Sequence, residues 1–285
     1  MGEPVILDGR KVAQAIREDV SERASHLKQA KGITPCLATI LVGDDPSSAT
    51  YVKMKGKACE KVGIDSKKVT LPADITQDDL MSTIQSLNDD PAINGILLQH
   101  PIPSHLDERA AFEAIDPEKD VDGVTSASFG RTGLGFGQYP SCTPGAIISI
   151  LDYYDIPLEG KHAVVVGRSP ILGKPVSLLL LNRNATVTIC HSRTVDVAAK
   201  VAEADVVVAA VGKPEFVKGH WIKEGAVVVD AGYNPGNIGD VEYDASYQKA
   251  SAITPVPGGV GPVTIATLLK QTMESAEKSA GLNKS

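Results

Sequence analysis

Four strongly apolar segments in the second half of the chain constrain its fold more than any other feature. They are KHAVVVG (161–167), ATVTIC (185–190), DVVVAAVG (205–212) and GAVVVDAG (225–232). Short, nearly continuous apolar strands are typical of a parallel sheet that helices cover on both faces. A helix-forming stretch, KPVSLLLLNRN, separates the first two segments. This layout predicts a dinucleotide-binding fold.

The first half of the chain repeats the same alternation on a smaller scale. Three strand-like segments, CLATILVG, KKVTLP and NGILLQHPIP, alternate with amphipathic helical stretches. We therefore predict an α/β protein of two domains with a cleft between them. The N-terminal domain spans residues 1–140 and a Rossmann-like domain spans 141–262, while a C-terminal helix at about 263–285 packs back on the first domain. The Gly- and Ser-rich stretch at 120–144 is predicted to cross between the domains as loops.

Composition excludes several classes of protein. The 285 residues carry a net charge of -7, which argues against a nucleic-acid partner. No apolar run approaches the roughly 20 residues of a membrane span. The four cysteines lack metal-ligand or disulfide spacing, which indicates a cytoplasmic protein without a metal site.

The turn after the first apolar segment, VVVGRSPILGKP, predicts a phosphate site. Gly167 and Gly173 allow a tight turn that aims helix N-terminal N–H groups at an anion, beside Arg168 and Ser169. The next strand ends in the sequence His-Ser-Arg-Thr, without the carboxylate that folds preferring NAD carry at this place. Ser192 and Arg193 suit a 2′-phosphate instead, so we expect NADP. The alternative is that Arg193 is an ordinary surface charge.

The stretch SATYVKMKGKACEKVGI contains four lysines, and helical periodicity separates them. Lys53, Lys57 and Lys61 fall on one arc, opposite an apolar stripe that includes Val52 and Cys59. Tyr51 and Lys55 fall together at the edge of that stripe. Lys55 is therefore either a functional residue or a lysine whose stem packs at the edge of a core.

Eight motifs together resemble one family over residues 5–275. They are SATYVKMKGKACEKVGI, GILLQHPIP, DPEKDVDG, SCTPGAI, GRSPILGKP, CHSRT, VVDAGYNP and TPVPGGVGPVT. The family is that of the bifunctional methylenetetrahydrofolate dehydrogenases/methenyltetrahydrofolate cyclohydrolases. The resemblance implies oxidation of 5,10-methylenetetrahydrofolate with NADP, then hydrolysis to 10-formyltetrahydrofolate, by a homodimer.

The resemblance also implies roles for four residues of the first half. Tyr51 matches a tyrosine that stacks on the substrate, Lys55 the catalytic lysine, Gln99 its glutamine, and Asp122 the pterin-binding aspartate. The chemistry suits them, because a flat pterin offers a face to an aromatic ring and a pair of donors to one carboxylate. A lysine whose pKa is lowered by partial burial can transfer the proton that hydration needs, and a neutral amide holds it without fixing its charge. The alternatives are a turn aspartate and a polar residue at a strand end.

Further contacts follow from the resemblance in the second half. The TPVPGGVGP loop is expected to place Pro255, Gly258 and Gly259 against the folate, since glycines permit close approach of a backbone. Thr143 and Tyr233 are expected at the cofactor. A plain strand-to-helix loop is the alternative for 254–262.

Three departures from the family pattern are visible. His100 stands where a leucine is usual, Tyr233 replaces an isoleucine, and the stretch 124–138 differs in sequence. None removes a predicted catalytic residue. Two rival functions remain open at this level: a dehydrogenase that has lost the cyclohydrolase step, and a non-catalytic NADP-binding sensor.

Overall fold

The structure is a computed structural model that describes residues 2–136 and 139–282. The first half contains β1 (Val5–Ile6), α1 (Gly9–Lys31), β2 (Cys36–Val42), α2 (Pro46–Lys61), β3 (Asp65–Leu71), α3 (Gln77–Asp89), β4 (Gly95–Leu98), α4 (Glu108–Glu113) and α5 (Ser126–Gly133). The second half contains α6 (Cys142–Tyr153), β5 (His162–Val166), α7 (Gly173–Asn182), β6 (Thr186–Cys190), α8 (Val197–Ala202), β7 (Val206–Ala209), β8 (Val227–Asp230), α9 (Tyr243–Tyr247), β9 (Ala252–Ile253) and α10 (Val260–Ser279). Residues 283–285 of the predicted C-terminal helix and 137–138 of the divergent stretch lie outside the described residues.

The chain divides into two compact units that are interleaved along the sequence. The first unit holds residues 2–14, 131–136 and 141–264, and the second holds 15–130, 139–140 and 265–282. Residues 2–14 are thus grouped with the dinucleotide-type sheet, whereas the sequence-based division assigned them to the N-terminal domain. The predicted boundaries at 140 and 262 stay a prediction.

The first unit is built on a six-stranded parallel sheet in the order β1-β9-β8-β7-β5-β6. All four residues of β7 and all four of β8 are buried, which is the expected result for strands covered on both faces. The apolar segments therefore form the predicted parallel strands. β6 lies at one edge and exposes Thr186 and Ile189.

The second unit contains a three-stranded parallel sheet in the order β3-β2-β4. β2 is central and buried over six of its seven residues, whereas β3 is an edge strand that is mostly exposed. Helix α3 begins after Thr76, whose hydroxyl accepts the N–H of Asp79 at 3.1 Å. Leu80, Ile84 and Leu87 then face the core of this unit.

The stretch predicted as loops at 120–144 contains helix α5 and the start of α6, so that prediction is wrong in part. The Thr125 hydroxyl accepts the N–H of Ser128 at 3.1 Å and so caps the first turn of α5. A local cap therefore defines this helix, although its Gly- and Ser-rich sequence has little apolar periodicity.

Within the described chain, none of the helices combines the length and the apolar character that crossing a membrane requires.

Candidate active site

Helix α2 sorts its lysines as the periodicity predicts. The helix begins after Asp45, whose carboxylate accepts the N–H of Ser48 at 2.7 Å. Val52 and Cys59 are buried beneath it, and Lys53, Lys57 and Lys61 are exposed. Lys55 is half-buried. Three of the four lysines are therefore surface charges, and Lys55 has a different environment.

Lys55 reaches the residue that follows β4. Its Nζ atom lies 3.0 Å from Oε1 of Gln99, where it donates a hydrogen bond. The Gln99 amide is held from its other side, because Nε2 donates to the carbonyl of His100 at 2.8 Å. The Gln99 backbone N–H also donates to Ile40, in the central strand β2, at 2.9 Å. The amide oxygen is thus turned toward Lys55 by its own neighbours.

Tyr51 lies one helical turn before Lys55 and shares its side of α2. The phenol is 41% exposed, and Met54 beside it is 49% exposed. Tyr51 and Met54 therefore expose apolar surface next to a half-buried amine.

Asp122 is half-buried. The segment before it runs beside the start of β4, since the N–H of Ile96 donates to the carbonyl of Lys119 at 2.8 Å. Val121 packs so closely that a β-carbon on Gly95 would lie 2.6 Å from it.

The phosphate turn in the first unit requires both of its glycines. Gly167 has φ +135°, and a β-carbon there would lie 2.1 Å from the carbonyl oxygen of Ala210. A β-carbon on Gly173 would lie 2.3 Å from the carbonyl oxygen of Gly167. Only glycine allows β5 to turn this tightly into α7.

Ser169 serves this turn in a way that the sequence did not predict. Its hydroxyl accepts the N–H groups of Leu172 at 3.1 Å and Gly173 at 3.3 Å. Ser169 therefore accepts two N–H groups at the start of α7 that the prediction assigned to an anion.

The predicted 2′-phosphate residues follow neighbouring strand ends. β5 and β6 are parallel, and Gly167 donates to the carbonyl of Cys190 at 2.8 Å. Arg168 therefore follows one strand where Ser192 and Arg193 follow the next, and all three are exposed. The turn after β6 is held by its own hydrogen bonds, including that from the His191 N–H to the Thr194 hydroxyl at 2.9 Å.

The TPVPGGVGP loop packs on the start of the chain. Gly9 donates to the carbonyl of Gly258 at 2.9 Å. A β-carbon on Gly259 would lie 2.5 Å from the carbonyl oxygen of Pro255, and Gly258 has φ +103°. These glycines are therefore required by the packing of the loop itself, a requirement that the sequence did not reveal.

Thr143 and Tyr233, the remaining cofactor candidates, lie on different elements of the first unit. Thr143 is in the first turn of α6, and the hydroxyl oxygens of Thr143 and Thr264 are 3.4 Å apart. Tyr233 is 61% exposed, and its hydroxyl donates to the Asn237 side chain at 2.7 Å.

Two buried carboxylates support the loop around Tyr233, and sequence reasoning missed both. Asp230 ends β8 and accepts the N–H groups of Gly232, Asp240 and Val241 at 2.8–3.0 Å. Asp240 accepts those of Val211, Gly212 and Lys213 at 2.6–2.9 Å. Burial, with a smaller contribution from the nearby charge of Asp240, raises the pKa of Asp230 to about 6, against the lowering effect of these hydrogen bonds. The signal available in the sequence was the pair of acidic residues that bounds the glycine-rich stretch 231–239.

In residues 2–136 and 139–282, no group of three or more His, Cys, Asp or Glu side chains has an arrangement that could hold a metal ion.

Comparison with known proteins places both halves of the chain. Residues 7–122 match the family model of the tetrahydrofolate dehydrogenase/cyclohydrolase catalytic domain. Residues 141–280 match that of the tetrahydrofolate dehydrogenase/cyclohydrolase NAD(P)-binding domain.

Similar proteins match over nearly the full length. The bifunctional protein FolD of Shouchella clausii is 65% identical over 98% of this chain and 100% of its own. The crystal structure of the bifunctional FolD dehydrogenase/cyclohydrolase from Campylobacter jejuni has a TM-score of 0.94 at 44% identity, over 96% of this chain and 99% of its own. The Trypanosoma brucei FolD, solved with NADP cofactor and inhibitor, has a TM-score of 0.94 at 40% identity, over 98% of this chain and 99% of its own. The chain is a member of the tetrahydrofolate dehydrogenase/cyclohydrolase family.

Proposed function

We propose that this protein oxidises 5,10-methylenetetrahydrofolate to 5,10-methenyltetrahydrofolate with NADP and hydrolyses the product to 10-formyltetrahydrofolate. NADP supplies the acceptor for the hydride that leaves the methylene carbon. The observation that carries the proposal is the hydrogen bond between Lys55 and Gln99 in a chain of this family. This contact holds the Lys55 amine in place for the hydrolysis, which is the one step that needs proton transfer.

Lys55 acts in the hydrolysis. Water adds to the methenyl carbon, and one of its protons passes to the Lys55 amine. The resulting ammonium gives that proton to N5 as the carbon–N5 bond breaks. The second proton of the water leaves to solvent as the formyl C=O forms on N10. Gln99 holds the amine in both states, because an amide oxygen accepts from either form without the charge that would favour ammonium.

Asp122 and Tyr51 hold the pterin in this proposal. A carboxylate accepts both donors of the pterin edge, and the exposed Tyr51 ring offers a face to stack on.

The first unit fits the phosphates of NADP. Gly167 and Gly173 carry no side chains at the turn between β5 and α7, which suits close approach of a diphosphate to its backbone. Arg168, Ser192 and Arg193 offer cationic and hydroxyl donors at adjoining strand ends. We assign these three residues to the 2′-phosphate of NADP, and we assign Ser169 to the phosphate turn between β5 and α7.

The remaining candidates complete the proposal. Thr143 and Tyr233 contribute to the cofactor site, and the backbone at Pro255, Gly258 and Gly259 contributes to the folate site. Pro255 and Gly258 are half-buried, so their backbone keeps an accessible side despite the packing of the loop on Gly9.

One absorbance assay tests the function. Purified protein is mixed with 5,10-methylenetetrahydrofolate and NADP, and NADPH formation and methenyl absorbance are followed together. We expect NADPH to form and the methenyl signal to remain low, because the second step consumes it. NADP binding without turnover would establish the sensor instead. Stoichiometric, persistent methenyl accumulation would establish a dehydrogenase without the second activity.

We also propose that the protein is a homodimer that pairs through the β6 edge. The strand leaves its outer backbone groups without a neighbouring strand, and Ile189 on it is 40% exposed. Leu134, Phe136 and Leu181 add exposed apolar surface at 72%, 67% and 55%. A two-fold axis lets one such surface pair with its own copy. Light scattering on the wild type and on Leu181→Asp tests this, with a dimer expected only for the wild type.

We further propose a cytoplasmic location and no nucleic-acid partner. The net charge of -7 supports the second point. Reduced, largely buried cysteines at positions 36, 59, 142 and 190 suit a reducing compartment.

A further inference from the structure

Asp120 is a fully buried carboxylate two residues before the proposed pterin anchor, and no role has been assigned to it above. One of its oxygens accepts the N–H of Val124 at 3.0 Å. The other accepts the N–H of Thr125 at 2.9 Å and the hydroxyl of Ser128 at 2.6 Å. Three donors that follow Asp122 in the sequence therefore bind the Asp120 side chain.

The same residue closes the turn through its backbone. The carbonyl of Asp120 accepts the N–H of Gly123 at 3.0 Å, and Gly123 has the left-handed φ of +66°. The turn that contains Asp122 is thus held by two sets of hydrogen bonds to Asp120. One set goes to the backbone carbonyl of Asp120, and the other goes to its side-chain carboxylate. Its neighbour Val121 is anchored separately, because its carbonyl accepts the buried Gln271 amide at 2.6 Å.

The chemistry of the cluster requires a carboxylate. Every contact to the Asp120 side chain comes from a donor, so both oxygens must accept. An amide in the same place would turn an NH₂ group toward at least one of these donors. A buried N–H left without an acceptor is costly, so the turn would open or shift to reach water. A shift of the turn displaces Asp122.

We propose that Asp120, supported by Ser128, is a positioning residue that sets the Asp122 carboxylate for the pterin. The inference rests on the proposed function, because it takes Asp122 as the pterin anchor. Asp120 acts through Asp122 and touches neither substrate nor cofactor. Both folate-dependent steps rely on it, and the dinucleotide site does not.

A double-mutant cycle tests the inference in the full-length protein. The variants are Asp120→Asn, Asp122→Ala and the double variant, each assayed below its own unfolding temperature. The probe is tetrahydrofolate, which carries the pterin but no one-carbon unit and so is not turned over. We expect Asp120→Asn to raise its Kd on the order of tenfold, and to raise KM for methylenetetrahydrofolate while KM for NADP is unchanged. In the Asp122→Ala background the same change should add little, since residues that act as one unit are not additive.

Two further variants separate positioning from general damage. Asp107→Asn removes a carboxylate that caps α4 by accepting the Ala110 N–H at 3.0 Å, and it should leave tetrahydrofolate affinity unchanged. Ser128→Ala removes one donor from Asp120 and should weaken tetrahydrofolate affinity less than Asp120→Asn does. It replaces Asp120→Asn in the cycle if that variant does not fold.

Three results would overturn the inference. Unchanged tetrahydrofolate affinity in Asp120→Asn, with a clear loss in Asp122→Ala, would overturn the inference alone and leave the anchor intact. Additive losses in the double variant would assign Asp120 an effect independent of Asp122. Unchanged affinity in Asp122→Ala would remove the anchor from the proposed function, and the inference with it.

Discussion

The Nζ atom of Lys55 and the Oε1 atom of Gln99 are 3.0 Å apart, joining helix α2 to the end of β4. The partner of the amine is neutral, and the amide is oriented by the carbonyl of His100 at 2.8 Å. A lysine held in this way is located without being fixed in its charged form. The unusual histidine at position 100 contributes its backbone to this contact, which any residue could provide.

Changing Gln99 to Glu tests the need for a neutral partner. A carboxylate at this place stabilises the ammonium form of Lys55, so the amine would no longer accept a proton from water. We expect the cyclohydrolase rate near neutral pH to fall at least about tenfold, with part of the loss recovered at higher pH. The measurement is the rate against pH for wild type and Gln99→Glu. An unchanged rate with an unchanged pH profile would refute the assignment.

The cofactor preference depends on Arg168 and Arg193. Hydrogen bonds to charged groups contribute roughly 1.5–3 kcal/mol each, so losing two reduces selectivity for NADP over NAD by a hundredfold or more. The measurement is kcat/KM with each cofactor for wild type and for Arg168→Ala/Arg193→Ala. Arg183→Ala, which removes an exposed guanidinium paired with Asp152, is the control. A wild type that prefers NAD would contradict the phosphate-site assignment.

Lys119, within the DPEKDVDG motif, has a structural role. Its ammonium donates to the carbonyls of Leu87, Asn88 and Asp90 at 2.6–3.1 Å, at the end of α3. Lys119→Met leaves these acceptors without their donor, and we expect a loss of about 1–3 kcal/mol in the free energy of unfolding. Lys67→Met, which breaks a surface pair with Asp90, should cost less than about 1 kcal/mol. Equal losses of unfolding free energy for the two variants, measured with urea, would show that the Lys119 contacts contribute no more than a surface ion pair.

Asp230 makes stability depend on pH in an unusual direction for a carboxylate. Its pKa is about 6 in the folded protein and 3.8 in its unperturbed state, so the folded state binds more protons between these values. Stability from this group therefore rises as pH falls from 7 toward 4, with a slope of up to about 1.4 kcal/mol per pH unit. We expect the unfolding free energy of wild type, relative to that of Asp230→Asn, to increase as pH is lowered from 7 toward 4. Urea unfolding at several pH values measures this difference.

Asp205→Asn is the matched control for Asp230. The Lys223 ammonium holds the pKa of Asp205 below its usual value, so both states are already ionised from pH 5 to 7. The difference in unfolding free energy between Asp205→Asn and wild type should therefore not change between pH 5 and 7. A flat difference for Asp230→Asn as well would show that the buried carboxyl does not titrate there.

Regular patterns in the sequence predicted the architecture and much of the site. Apolar runs predicted the parallel strands, and helical periodicity separated Lys55 from its exposed neighbours. Features that depend on a single local hydrogen bond escaped prediction. Thr125 caps the first turn of α5, and the Ser169 hydroxyl occupies N–H groups at the start of α7 that the turn pattern assigns to phosphate. The packing of Gly258 and Gly259 on Gly9 joins residues about 250 positions apart, a contact that no local pattern encodes.

The central claim is that Lys55 carries the proton in the hydrolysis of the methenyl group. Lys55→Met keeps the length and apolar stem of the side chain and removes the amine. Hydride transfer has no obligatory proton step at the methylene carbon, so dehydrogenase activity should suffer less. Lys57→Met changes an exposed lysine of the same helix and should be within about ±0.5 kcal/mol of wild type in stability, with normal activity.

The most direct measurement is the rate of hydrolysis of 5,10-methenyltetrahydrofolate by wild type, Lys55→Met and Lys57→Met. The account predicts a loss of roughly 10²–10⁴-fold for Lys55→Met, the usual contribution of a general acid–base group, and no loss for Lys57→Met. A Lys55→Met enzyme that hydrolyses the methenyl substrate at the wild-type rate, or equal losses at Lys55 and Lys57, would contradict it.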